Sequence, residues 1–238
     1  MVANAKFLLK EINFSEYGLG TIIPLTAKEI VELEEEKFNQ FLVPFLYDLS
    51  HDTDEIKFFD YLFVNDEQLS RILEWLINSL KILYRTEKYE FVVDDNKINI
   101  KISNAKINRD NFSKLCDIIR EMYFIKLKDL KEEQVIQVAE ENKHILEEYL
   151  RLKAQHEKEM EEQAKKNQVT THQIITILAS QCSWDYDRVL DMTYYRMIVT
   201  YMSIQQIDVY QTYLRYASSG QFDMKNQKYD HWLNIVGK

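Results

Sequence analysis

Six apolar side chains, Leu69, Ile72, Leu73, Leu76, Leu80 and Leu83, recur at spacings of three and four. That period belongs to an α-helix that buries one face. It predicts a core helix over Asn65–Arg85, with Asn65 as its N-cap. Asp66 and Glu67 then occupy the first turn, where the helix dipole favours negative charge, and Lys81 and Arg85 lie near the end. Trp75 and Ile77 flank the stripe, and no polar residue intrudes on it. The rest of the chain must be compatible with such a helix. With 4 Gly and 2 Pro in 238 residues, there are too few turn-formers for an all-β architecture.

Further helices announce themselves by their caps. Thr26-Ala27-Lys28-Glu29 is a capping box, in which the Thr side chain accepts a backbone N–H and the Glu side chain reaches back. Ile30, Leu33, Phe38, Phe41, Leu42 and Phe45 follow, and Pro44 bends or splits that helix. Asp54–Val64 reads as another helix. Asn108–Asn111 caps one running to about Phe124, with Phe112, Leu115, Ile118, Ile119 and Met122 inward and Cys116 a small buried hydrophobe. Two alternating runs, Tyr89–Val93 and Ile98–Ile102, predict a β-hairpin turning at Asp94–Lys97. Before all of these, KFLLKEI, YGLG and TIIPL read as an extended arm, a turn and a second extended piece.

The chain therefore reads as mainly α with a small β-hairpin. An α+β N-terminal domain spans 1–127, with the hairpin near 89–102. A long charged helical arm spans 128–168, and a small helical domain spans 169–238. In the arm, Glu147–Arg151, Glu161–Lys165 and Glu162–Lys166 are i,i+4 pairs with Glu first. Val135, Val138, Asn142, Ile145, Tyr149 and Leu152 follow heptad spacing, so the 135–152 helix offers a seam for self-association.

Charge and motif content narrow the function. The net charge is −9, and no dense Lys/Arg cluster supplies the counterion release that duplex binding needs. Nucleic acid is not an expected partner. The longest uncharged run, Asn167–Trp184, is rich in Gln, Thr and His and is no membrane span. No signal peptide is visible, and Cys116 and Cys182 are isolated, so a reducing, cytoplasmic setting is expected. Gly18-Leu19-Gly20 lacks the third Gly and the Lys of a phosphate loop. His51 between Asp52 and Asp54 is accounted for by turn chemistry. Glu141 and His144 form a single Glu-x-x-His, where a di-iron bundle needs two. No nucleophile, dinucleotide or zinc motif occurs. The expectation is a protein that is not an enzyme and uses no metal or cofactor.

What remains is the segment after the arm. From Val169 onward there is no Glu, and six Asp balance six Lys and Arg, so the whole −9 lies upstream. A helix around Ile174–Ala179 is followed by a short one capped by Ser183 or Asp185. Thr193 then caps a run from Tyr194 to Ala217. Ser203-x-x-Gln206 would be a second capping box, making this run one helix or two. Gly220 suits a helix stop, and a last short helix carries Tyr229, Trp232, Leu233 and Val236. A helix-turn-helix over Thr170–Met202 would read DNA with Arg196 alone, amid Tyr, Met, Ile and Val.

Leu190-Asp191-Met192-Thr193-Tyr194-Tyr195-Arg196-Met197, with Asp230-His231-Trp232-Leu233 near the terminus, resembles tail assembly chaperones and related tail-module proteins of phages infecting Gram-positive bacteria. Ile107–Tyr123 is similar to such proteins as well. The chain departs from the smaller chaperones in its additional N-terminal α/β region. The resemblance implies a non-enzymatic tail assembly protein of the host cytoplasm, binding a tape-measure-like or other tail protein and keeping it soluble. The alternative is a structural virion component of the tail, baseplate or head–tail junction, and a third reading is an enzyme of unrecognised type. The candidate contact residues are Trp184, Tyr194, Tyr195, Met197, Tyr201 and Trp232, since aromatic and Met side chains suit a helix-in-groove contact.

Overall fold

A computed structural model of the chain describes residues 4–47, 57–64, 66–94, 97–125 and 169–219. These residues form a mainly α structure with two small antiparallel sheets. The polar break at 50–54, Asn65, the 128–168 arm with its 135–152 seam, Glu141, His144, Gly220 and the helix around Trp232 all lie outside them.

The chain opens on a 3-10 turn, Ala5–Leu8, where the expected extended arm would have begun. The Asn4 side chain accepts from the Lys6 N–H, which tightens the backbone, and Phe7 turns inward. Strands β1 (Ile12–Asn13) and β2 (Thr21–Ile22) pair across a turn. In that turn Gly18 has φ +72° and Gly20 has φ +62°. A Cβ on Gly20 would sit 2.3 Å from Asn104 Oδ1, so both backbone conformation and space require Gly there.

Helix α1 (Ala27–Leu42) starts at the predicted capping box. The Thr26 N–H donates to Glu29 Oε2 at 2.8 Å, and the Glu29 N–H donates to Thr26 Oγ1 at 3.3 Å. Its path breaks at Glu34, whose φ is +61°. Pro44 then falls in a 3-10 turn, Val43–Phe45. Of the helix expected over 54–64, the described part is the single turn α2 (Phe58–Tyr61).

Helix α3 (Glu67–Tyr84) is the core helix, buried along Ile72, Leu76, Leu80 and Leu83. Asp66 is its N-cap, accepting from the Gln68 and Leu69 N–H groups, so the start lies one residue later than expected. Ser79 does intrude on the buried face. Its hydroxyl contacts the carbonyls of Trp75 and Phe41 at 2.7 and 2.9 Å, which removes the cost of burying it.

The hairpin forms as β3 (Tyr89–Asp94) and β4 (Lys97–Ile102), with Phe91 opposite Ile100. A third strand, β5 (Ala105–Ile107), extends it on the far side of β4. Helix α4 (Phe112–Met122) follows an Asn-based turn. Asn108 Oδ1 accepts from the Asp110 and Asn111 N–H groups, while Asn111 Nδ2 donates to the carbonyls of Tyr17 and Lys106. Cys116 is fully buried, as expected of a small hydrophobe. The remaining helices are α5 (Thr171–Cys182), α6 (Tyr186–Leu190) and α7 (Tyr194–Ser219).

Two hydrophobic clusters result. The larger gathers side chains from the β1–β2 turn, α1, α3, the three-stranded sheet and α4. The smaller is built from α5, α6 and the start of α7. They are joined by backbone. The Ala27 N–H donates to the Met192 carbonyl at 2.8 Å, and the Tyr194 N–H donates to the Leu25 carbonyl at 2.9 Å. This isolated bridge, Thr26 opposite Thr193, ties the start of α1 to the start of α7. Ala27 belongs to the smaller cluster and Tyr195 to the larger, so each reaches across the joint.

Candidate functional site

Helix α7 is the element on which most of the candidate residues fall. Thr193 caps it, its Oγ1 accepting the Arg196 N–H at 3.4 Å. The helix continues unbroken through Ser203. That hydroxyl donates back to the Val199 carbonyl at 2.8 Å, within the helix, and therefore does not cap a new one. Ser183 is likewise not the cap of α6. It ends α5 in the left-handed conformation, with φ +52°, and Asp185 stands before α6.

The first turns of α7 are held on two sides. Tyr195 is 2% exposed. It lies against Phe7 and Phe124, with ring centroids 5.2 and 4.8 Å away, and its hydroxyl accepts the Asn4 N–H at 2.8 Å. Met197 is 0% exposed, in the smaller cluster. These two candidates build the interior and present no contact surface. Tyr194 is half-buried between the clusters, 5.7 Å from the ring of Tyr123 and 5.9 Å from that of Phe38. Tyr201 packs along the smaller cluster, where its hydroxyl meets the side chain of Gln205. Trp184 is half-buried, with the Arg188 guanidinium 4.3 Å from its ring centroid. Trp232 lies outside the described residues.

The joint beneath α7 is closed by buried aromatic rings and backbone hydrogen bonds. Tyr123 Oη accepts the Leu25 N–H at 3.1 Å, and burial holds the Tyr123 phenol well above its ordinary range. Burial also raises the phenols of Tyr194 and Tyr195. Beside the bridge, Glu29 closes the cap of α1 and accepts from Arg85, with N–O distances of 2.7 Å. Burial works to raise the Glu29 carboxyl, but the hydrogen bonds from Arg85 and Thr26 and the Arg85 charge outweigh it, leaving it below its ordinary value. These groups are structural. They tie the start of α7 to the start of α1.

Beyond Ile204 the character of α7 changes. Among the described residues, no further side chain of the helix packs into either cluster. Met202, Val209 and Tyr216 are 37%, 50% and 48% exposed. They recur every seven residues, so they lie along one stripe of the helix. Arg196, Asp208 and Arg215 are the only charged residues between Tyr194 and Ser219. Exposed apolar side chains recurring every seven residues on a nearly uncharged helix have the spacing of helix-in-groove contacts. The expected contact residues miss this stripe, yet the spacing of Met202, Val209 and Tyr216 is visible in the sequence.

Residues 163–237 match the family model of the YomV second domain. The match takes in α5, α6 and α7 and covers less than half of the chain. Its similarity to the YomV second domain suggests a phage-related protein. Comparison with curated proteins and with solved structures returns no match. Among the described residues no group of His, Cys, Asp and Glu could hold a metal ion, and no helix is long and apolar enough to cross a membrane.

Proposed function

We propose that the chain is a non-enzymatic phage tail assembly protein, which binds a helical, aggregation-prone tail protein such as a tape measure and keeps it soluble. The observation that carries this reading is the outer part of α7. Met202, Val209 and Tyr216, each exposed, recur along a helix whose first turns are anchored in both clusters. Anchoring by the Thr26–Thr193 bridge means that little conformational entropy is lost when a partner helix docks. Met and Tyr adapt to varied apolar side chains. The acidic balance of the rest of the chain would keep a complex dispersed. The similarity to the YomV second domain supports a phage setting for the same segment.

The test is affinity purification of the full chain from phage-producing cells, beside a variant carrying Met202→Lys, Val209→Lys and Tyr216→Lys. A long helical phage protein should accompany the wild-type chain and be lost from the variant. The variant should melt within about 2 °C of wild type, because exposed substitutions cost little. Retention of the same partner by the variant would remove α7 from the account.

A further inference from the structure

Strand β3 is the outer strand of the β3–β4–β5 sheet. All of its side chains except Val92 are exposed, including Tyr89, Phe91 and, at 65%, Val93. Natural edge strands are ordinarily blunted by charged side chains, a Pro, a bulge, short length or covering chain, and of these β3 carries the carboxylates of Glu90 and Asp94. β3 has six residues in unbroken register with β4, and none of them is Pro. The phase of the ladder can be read from Asn99, whose Nδ2 donates to the Val92 carbonyl at 3.3 Å. Val92 therefore turns its backbone toward β4. The N–H and C=O of one residue in an antiparallel pair point the same way, so Glu90 and Asp94 do likewise and Tyr89, Phe91 and Val93 face outward.

We propose that this edge pairs antiparallel with the same edge of a second copy of the chain, centred on Phe91. A two-fold axis normal to the sheet keeps the aromatic rows of both copies on one face. Three registers pair at least two of the three outward residues, and charge chooses among them. Centring on Glu90 places Glu90 opposite its symmetry mate. Centring on Val92 places Glu90 opposite Asp94 of the other copy. Both set like charges directly across the strands, which destabilises pairing. Centring on Phe91 instead places Lys88 opposite Asp94 twice, adding to the ion pair that Asp94 already makes with Lys106, and Glu90 opposite Val92. Lys88 is exposed and has no ion pair among the described residues. In this register Phe91 stacks beside its mate and Tyr89 beside Val93, extending the row that Phe63 already joins at 5.8 Å from Phe91. A pair of six-residue strands buries less than the ~1,000 Å² of a stable interface, so the dimer is weak and fills at roughly 10 µM to 1 mM.

Sedimentation equilibrium of the full chain over that range tests the pairing. Wild type should pass from monomer to dimer. Phe91→Pro removes an outward N–H that β4 does not use, so it should abolish the dimer while the far-UV spectrum persists. Lys88→Glu should weaken the dimer about tenfold, through two reversed pairs. A dimer that either variant leaves unchanged would place association elsewhere and overturn the proposal. A monomer at every concentration would overturn it as well, leaving the edge to an extended segment of a different protein.

Discussion

Tyr195 joins three parts of the molecule. Its ring fills the larger cluster between Phe7 and Phe124, while its hydroxyl holds the Asn4 backbone. Removing only the hydroxyl, in Tyr195→Phe, should cost about 1 kcal/mol. Removing the ring, in Tyr195→Ala, should cost about 3–5 kcal/mol. Urea denaturation with an unchanged slope distinguishes the two, and equal losses would contradict the packing role. Glu29 makes a pH-dependent contribution. Its folded pKa is depressed, so the stability it adds is present above the ordinary glutamate value of roughly 4.3 and is lost as pH falls through the lower folded value. Glu29→Gln should therefore melt lower than wild type at neutral pH, and the gap should close on acidification. A gap that is constant from neutral to strongly acidic pH would show that Glu29 acts only through its backbone cap. The sequence marked Tyr194, Tyr195 and Met197 as special residues without showing that two of them point inward. Because α7 begins between two clusters, apolar residues occupy most of its circumference there, and periodicity has no polar face to set against them.

At the scale of elements, α1 shows what helical spacing can reveal. Leu33 and Phe38 are five apart, a gap that an unbroken helix cannot place on one face. The break at Glu34, with φ +61° and ψ 161°, absorbs the change of phase between Leu33 and Phe38, both of which pack against the larger cluster. That conformation belongs to Gly and costs other residues about 1–3 kcal/mol. Glu34→Gly should accordingly raise stability by about 1 kcal/mol, read as a higher urea midpoint, whereas a lower midpoint would contradict a break at this position. The capping box at Thr26, the stripe of α3 and the hairpin were legible because each rests on local chemistry. A second box, Thr170 with Gln173, rests on the same local chemistry and caps α5. β5 was not legible, since three residues are too few for alternation to register. Its strand character comes from β4 and from the Gly18 carbonyl that accepts the Lys106 N–H.

At the scale of the molecule, the two clusters form a single support for α7. The contacts that join them, Leu25–Ala27 against Met192–Tyr194, link residues more than 160 positions apart and leave no trace in local pattern. Composition foretold a mainly helical protein, and the structure is one. The support fixes one end of a helix whose outer part carries exposed apolar residues. Under the proposed function the chain works during assembly and is not built into the product. Quantitative mass spectrometry of purified particles, set against the lysate that produced them, tests this most directly. The account predicts abundant chain in the lysate and less than one copy per finished particle. Many copies per particle would contradict it and make the chain a structural component of the virion.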